Sequence, residues 1–197
     1  THLARGESLS DAVGAGIDLL ARAVRYNLDV GEGSGAVHHL VETRDDAARE
    51  ATAEAVTSAV ERVVAAGVGP LVPEVGTNVA GATPYAERPG ETAAVEGRIT
   101  RTLSGAAPNR GVRFGASTYV ARTLLAARER DADLRFALNC RYDDAVADAL
   151  STLDAPVGTF DSAGASAASP ASVEQGVEAA FEVTGETPGA VVDRGAY

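Results

Sequence analysis

Residues 112–122 read Val-Arg-Phe-Gly-Ala-Ser-Thr-Tyr-Val-Ala-Arg, the stretch whose residue types and spacing best suit binding chemistry. Val112 and Phe114 alternate like the end of a strand, Gly115-Ala116-Ser117 supplies a tight turn, and a helix is expected from about Thr118. The first turn of a helix has N–H groups without intrahelical partners, so such a junction offers donors and a positive dipole end to an anion. Each favourable charge gains roughly 0.3–1 kcal/mol at an exposed helix end. Phosphate binding is the chemistry expected here, with an ordinary turn and N-cap as the plain alternative.

The elements around this turn follow from the hydropathy pattern. Residues 7–29 form a first unit, in which Ser8 or Ser10 can cap a helix with Leu9, Val13, Ile17, Leu20, Ala21 and Val24 at helical spacing. A Gly-rich turn (30–35) and a run with His38-His39 (36–41) follow, then a helix over 44–66 striped by Ala51, Ala55, Val56, Ala59, Val60 and Val63. This second helix reads as a boundary between two domains. Beyond Gly67, strand-like runs at 71–75, 93–103, 112–115, 134–139, 157–160 and 190–192 alternate with helical runs at 118–130, 143–153 and 172–183. That alternation implies a layered α/β domain. An Ala/Ser/Gly-rich loop is expected at 162–170, and there is no internal repeat.

Composition narrows the partners. The 197 residues are 45% hydrophobic, enough for a real core, but that core must be Ala, Val and Leu because Met and Trp are absent and aromatics are 5%. The net charge is −11, and all 17 basic residues are arginine, which argues against nucleic acid as a partner. Such a surface matches proteins of salt-loving archaea; an acidic protein from a GC-rich bacterium is the alternative. A single cysteine, Cys140, excludes an internal disulfide and reads as a small core residue. No apolar run reaches transmembrane length and no signal-peptide h-region is read, so a cytoplasmic protein is expected.

Five motifs occur in order: Pro73-Glu-Val-Gly-Thr-Asn78, Ala94-Val-Glu-Gly-Arg-Ile99, Phe114-Gly-Ala-Ser117 with Val120-Ala-Arg122, Asn139-Cys-Arg-Tyr142, and Val191-Val-Asp-Arg-Gly195. Each is weak alone, but together they resemble the archaeal ThiN-type thiamine-phosphate synthase domain, here over 43–197. The resemblance implies a three-layer α/β/α sandwich around a mixed, mostly antiparallel sheet. Residues 1–42, with Leu3-Ala-Arg-Gly-Glu-Ser-Leu-Ser-Asp-Ala-Val13 and Gly31-Glu-Gly-Ser-Gly35, are similar to the helical C-terminal tail of hydroxymethylpyrimidine phosphate kinases. These two domains are commonly fused. The chain starts at Thr1 and stops at Tyr197 soon after an apolar run, so a fragment of a fused kinase–synthase is expected. The kinase's Gly-x-Gly-Cys anion-hole motif is absent, so no phosphorylation is expected from this part.

The implied reaction couples hydroxymethylpyrimidine diphosphate to a thiazole phosphate and releases pyrophosphate. Such a site binds two anionic substrates and neutralises the leaving group, with Mg²⁺ the expected cofactor bridging diphosphate oxygens. Arg98 matches an arginine on which the family's activity depends, and its guanidinium suits phosphate oxygens. The alternative is an exposed strand arginine, as for Arg101 and Arg113. Gly115, Ala116 and Ser117 would cradle phosphate. Asn78, and Asn139 beside Arg141, either contact the pyrimidine edge or a phosphate, or stabilise turns. Glu74 or Asp193 would hold Mg²⁺, each one carboxylate among 28 acidic residues.

Tyr119 departs from the family, which has a functional His two residues after the Ser. A phenol keeps a donor and similar reach, but its pKa near 10 makes it a poor proton shuttle. Adjacent His38 and His39 on an extended run face opposite ways, so no zinc site is expected. Besides the enzyme, two readings stand: a thiamine-phosphate sensor like those behind helix-turn-helix domains of archaeal repressors, and a fold that binds nothing. Residues 1–40 do not resemble a helix-turn-helix. The expected partners are the two phosphorylated substrates, with a homodimer as the possible assembly and no membrane.

Overall fold

The computed structural model describes residues 2–33, 35–160 and 170–194. They divide into two compact units, one up to Arg49 and one from Glu50 onward. In the first unit α1 (Leu9–Arg25) starts at Ser8, whose Oγ accepts the Asp11 N–H at 3.2 Å. Its apolar stripe is not its buried face: Leu9, Val13, Ile17, Leu20 and Val24 are all more than half exposed, while Arg22 and Ala23 point inward. Arg22 meets Asp45 of α2 (Val41–Ala47) in a buried pair at 3.3 Å. Neighbouring His38 is buried and His39 exposed, as opposite-facing residues should be.

The single helix expected over 44–66 is two helices, α2 and α3 (Arg49–Ala65). The break is at Ala48, whose N–H is drawn to both the Arg44 and Asp45 carbonyls, the tightened geometry that ends an α-helix. The buried face of α3 is also turned from the expected stripe. Thr52, Val56 and Val60 are buried, whereas Ala51 and Ala55 are exposed.

The second unit continues with β1 (Val79–Ala82), β2 (Thr92–Val95), β3 (Ile99–Thr102), β4 (Gly105–Pro108), β5 (Val112–Phe114), α4 (Tyr119–Arg130), β6 (Phe136–Leu138), α5 (Asp144–Ser151), β7 (Val157–Phe160), α6 (Pro170–Thr184) and β8 (Ala190–Asp193). The central sheet runs β5-β2-β1-β6, antiparallel throughout. β3–β4 is a separate antiparallel hairpin, and β7–β8 is a parallel pair. The arrangement is α/β and mostly antiparallel, as the motifs implied.

Alternation across the central strands makes the layers. Val79, Ala93 and Val95 pack with Val56 and Val60 of α3. Ala80, Ala82 and Ala94 pack with Val120 and Leu124 of α4. Every residue of β1 and β2 is buried because both faces are covered. Fully burying a side chain such as Leu124 stabilises by about 1.5–3 kcal/mol.

Three strand expectations are corrected. The run at 71–75 is a 3₁₀ turn (Gly69–Leu71) followed by a Pro73–Gly76 turn closed by the Gly76 N–H on the Pro73 carbonyl at 2.9 Å. The run at 93–103 is two strands, broken at Glu96-Gly97-Arg98, where the chain leaves the central sheet for the hairpin. β1 and β4 occur where no strand was expected. The 162–170 loop lies outside the described residues except Pro170, which begins α6. Cys140 follows β6 and is exposed rather than in the core; partial burial of its thiol raises its pKa above the usual value.

Candidate functional site

Strand register sorts the candidate residues into two groups at opposite ends of the central sheet. Asn78 precedes β1 and bonds Val95 at the end of β2, while the Gly115 N–H bonds the carbonyl of Thr92 at the start of β2. Along the strand these points are about 10 Å apart. Arg98, Asn78, Asn139 and Arg141 belong to the first end; Gly115, Ala116, Ser117 and Tyr119 belong to the second.

At the first end Asn78 is buried, and its carboxamide is fully used. Oδ1 accepts the N–H groups of Val79 at 2.9 Å and Val95 at 3.0 Å. Nδ2 donates to the carbonyls of Val95 at 3.0 Å and Gly97 at 3.2 Å. These four bonds use both hydrogens and both lone pairs of the Asn78 amide. Asn139 is half-buried, with Oδ1 accepting the Asn78 N–H at 2.8 Å and Nδ2 donating to the Gly76 carbonyl at 3.2 Å. An amide has two such hydrogens; one goes to Gly76, and the second has no acceptor among the described residues.

Gly76 has φ +84°, and a Cβ built there would lie 2.9 Å from both Cβ and Cδ of Arg98. The Arg98 stem therefore lies on Gly76. Arg98 is exposed, and its guanidinium makes no hydrogen bond or ion pair among the described residues. Its neighbours differ: Arg101 donates to the carbonyls of Gly69 and Val72, and Arg113 pairs with Glu96 at 3.1 Å. Arg141 is held at 2.5 Å by Asp143, the N-cap of α5. That carboxylate offsets much of its charge.

At the second end the expected turn has Gly115 in the left-handed region, φ +70°, and α4 begins one residue later than expected. The N-cap is Thr118, with no side-chain cap, so Ser117 is not the cap. Ser117 is half-buried beside the first turn, and Tyr119 is 48% exposed as the first residue of α4. The turn lies close to Gly90, whose 3₁₀ segment (Pro89–Glu91) leads into β2. Arg88, just before that segment, is exposed.

The two acids proposed for Mg²⁺ lie on different elements. Glu74 is exposed in the Pro73–Gly76 turn, and Asp193 ends β8 opposite Phe160. Among the described residues no three His, Cys, Asp or Glu side chains group to hold an ion, so they fit no all-protein cage for Mg²⁺; one carboxylate with substrate phosphates is the usual arrangement.

With this geometry in hand, relatives can be placed. The family model for thiamine-phosphate synthase ThiN matches residues 55–197. The chain belongs to the ThiN family. It is 32% identical over 126 residues to the bifunctional thiamine biosynthesis protein ThiDN of Methanocaldococcus jannaschii, covering 64% of this chain and 30% of that protein. It is 30% identical over 133 residues to the thiamine-phosphate synthase ThiN of Methanothermobacter thermautotrophicus, covering 66% of this chain and 70% of that one. Thus the chain spans less than a third of the first relative. The crystal structure of the C-terminal domain of phosphomethylpyrimidine kinase superposes with a TM-score of 0.69 at 26% identity, covering 75% of this chain and 85% of that domain. In this ThiN chain the two ends of one sheet carry the two groups of residues that the motifs singled out.

Proposed function

We propose that this chain is a transferase that joins hydroxymethylpyrimidine diphosphate to thiazole phosphate, as the synthase part of a fused kinase–synthase. The observation that carries the reading is Arg98: a family-motif arginine whose guanidinium is solvent-facing and unpaired among the described residues, while its neighbours are engaged. The thiazole nitrogen's lone pair forms the new C–N bond at the pyrimidine methylene. The C–O bond breaks, and its electron pair leaves with pyrophosphate. Arg98 would neutralise that leaving charge in a fork geometry. The Gly115–Ser117 turn and the start of α4, about 10 Å away along the sheet, suit the second phosphate. Mg²⁺ would enter with the diphosphate rather than occupy a site built from Glu74 and Asp193. A cytoplasmic, salt-adapted homodimer belongs to the same proposal; no described helix is long and apolar enough to cross a membrane.

Thiamine-phosphate formation from the two substrates tests it. Arg98→Ala should lower the rate about 100- to 1000-fold, and Tyr119→His should equal or exceed the parent. Tyr119 favours a second reading, a thiamine-phosphate sensor. If the parent, Arg98→Ala and Tyr119→His are equally inactive while thiamine phosphate binds tightly, the sensor replaces the enzyme.

A further inference from the structure

The chain devotes much hydrogen bonding to one short loop. Asn78 ties the start of β1 to the end of β2 and to the Gly97 carbonyl, the residue before Arg98. Asn139, arriving 61 residues later at the end of β6, grips the Asn78 N–H and the Gly76 carbonyl. Gly76 in turn is the floor on which the Arg98 stem lies, with no room for a Cβ. A further backbone bond, from the Asn109 N–H to the Arg98 carbonyl at 2.8 Å, holds the far side of the loop. Arg98 is thus fixed on both sides of its backbone and under its stem, while its guanidinium is left without a partner among the described residues.

We propose that Asn78, Asn139 and Gly76 form a clasp whose role is to hold the Arg98 guanidinium in its anion-binding position, making them positioning residues rather than ligands. This rests on the reading of Arg98 as a pyrophosphate-binding group. An arginine left to its own rotamers gives up on binding the freedom that a seated stem has already lost. The clasp therefore acts on anion affinity through Arg98, and should have no effect on it once Arg98 is gone.

The test is calorimetric titration of the full chain with inorganic pyrophosphate, with thermal unfolding measured alongside. Gly76→Ala and Asn139→Ala are each made in the parent and in Arg98→Ala. Arg98→Ala should weaken pyrophosphate about tenfold or more, the loss of a charge-assisted hydrogen bond. In the parent each clasp variant should weaken it by about fivefold or more; in Arg98→Ala, by less than about twofold, since effects through a shared residue do not add. Any fall in melting temperature should be the same in both backgrounds. Equal weakening with and without Arg98 overturns the clasp, because the residues then touch the anion or act on the fold alone. Full affinity in either clasp variant overturns it also. Arg98→Ala binding like the parent, or a parent that does not bind, removes the reading of Arg98 itself. If Gly76→Ala does not fold, the half-buried Asn139→Ala decides.

Discussion

At the scale of the residue, Thr77 is the odd member of the Gly76–Asn78 segment. It is 4% exposed, and its hydroxyl has no hydrogen-bond partner among the described groups. A buried polar atom left unpaired costs about 1–3 kcal/mol, whereas an apolar group of the same shape costs little. Thr77 also makes an isolated antiparallel bridge with Ile99, a setting that suits β-branched residues. Thr77→Val should therefore raise stability, by about 1 kcal/mol in denaturant unfolding, and leave pyrophosphate affinity within about twofold of the parent. A loss of stability would show that the hydroxyl is satisfied in solution. The neighbouring Asn78 shows why such roles are hard to read from a chain. Its partners lie 17 residues on, at Val95, and 61 residues on, at Asn139. Nothing local separates an asparagine with a full set of bonds from one waiting for a ligand.

At the scale of the element, legibility followed local pattern rather than burial. α1 and α4 have strong local patterns or a clear start: α1 begins at the expected cap Ser8, and α4 agrees closely with the expected 118–130. β1 does not: Val-Ala-Gly-Ala has little strand propensity, yet it is central because only small residues fit between α3 and α4. Gly81 is the tightest point, where a Cβ would lie 2.5 Å from Val56 Cγ2 and 2.9 Å from Phe136 Cε1. Val56 is fully buried and has nowhere to go, while half-exposed Phe136 can swing out. Gly81→Ala should therefore destabilise by about 1–3 kcal/mol, the usual cost of overpacking, seen as a lower urea midpoint at unchanged slope. A neutral result would mean that α3 shifts freely on the sheet. The functional motifs were legible as types, but their division between the two ends of the sheet was not. It depends on β5 pairing with β2 in a register that places Gly115 beside Thr92.

At the scale of the whole molecule, charge dominates. With 28 acidic residues against 17 arginines the net charge is −11, and ion pairs such as Arg110–Glu96 and Arg130–Glu178 are exposed. Exposed pairs contribute roughly 0–1 kcal/mol each, too little to offset repulsion among the unpaired carboxylates. Screening length falls from about 10 Å at 0.1 M salt to about 3 Å at 1 M. Stability should thus rise with KCl over that interval and flatten beyond it, because repulsion already screened at 3 Å has little left to lose. Melting temperature in KCl from 0.1 to 3 M checks this. A rise that continues undiminished to 3 M would point to salt acting on hydration and apolar burial rather than on charge. The same screening weakens the pull of exposed Arg98 on pyrophosphate, so affinity should fall across the range in which stability rises. Opposite trends in one titration would separate two effects of charge: repulsion among the acidic residues, and the attraction proposed between exposed Arg98 and an anion.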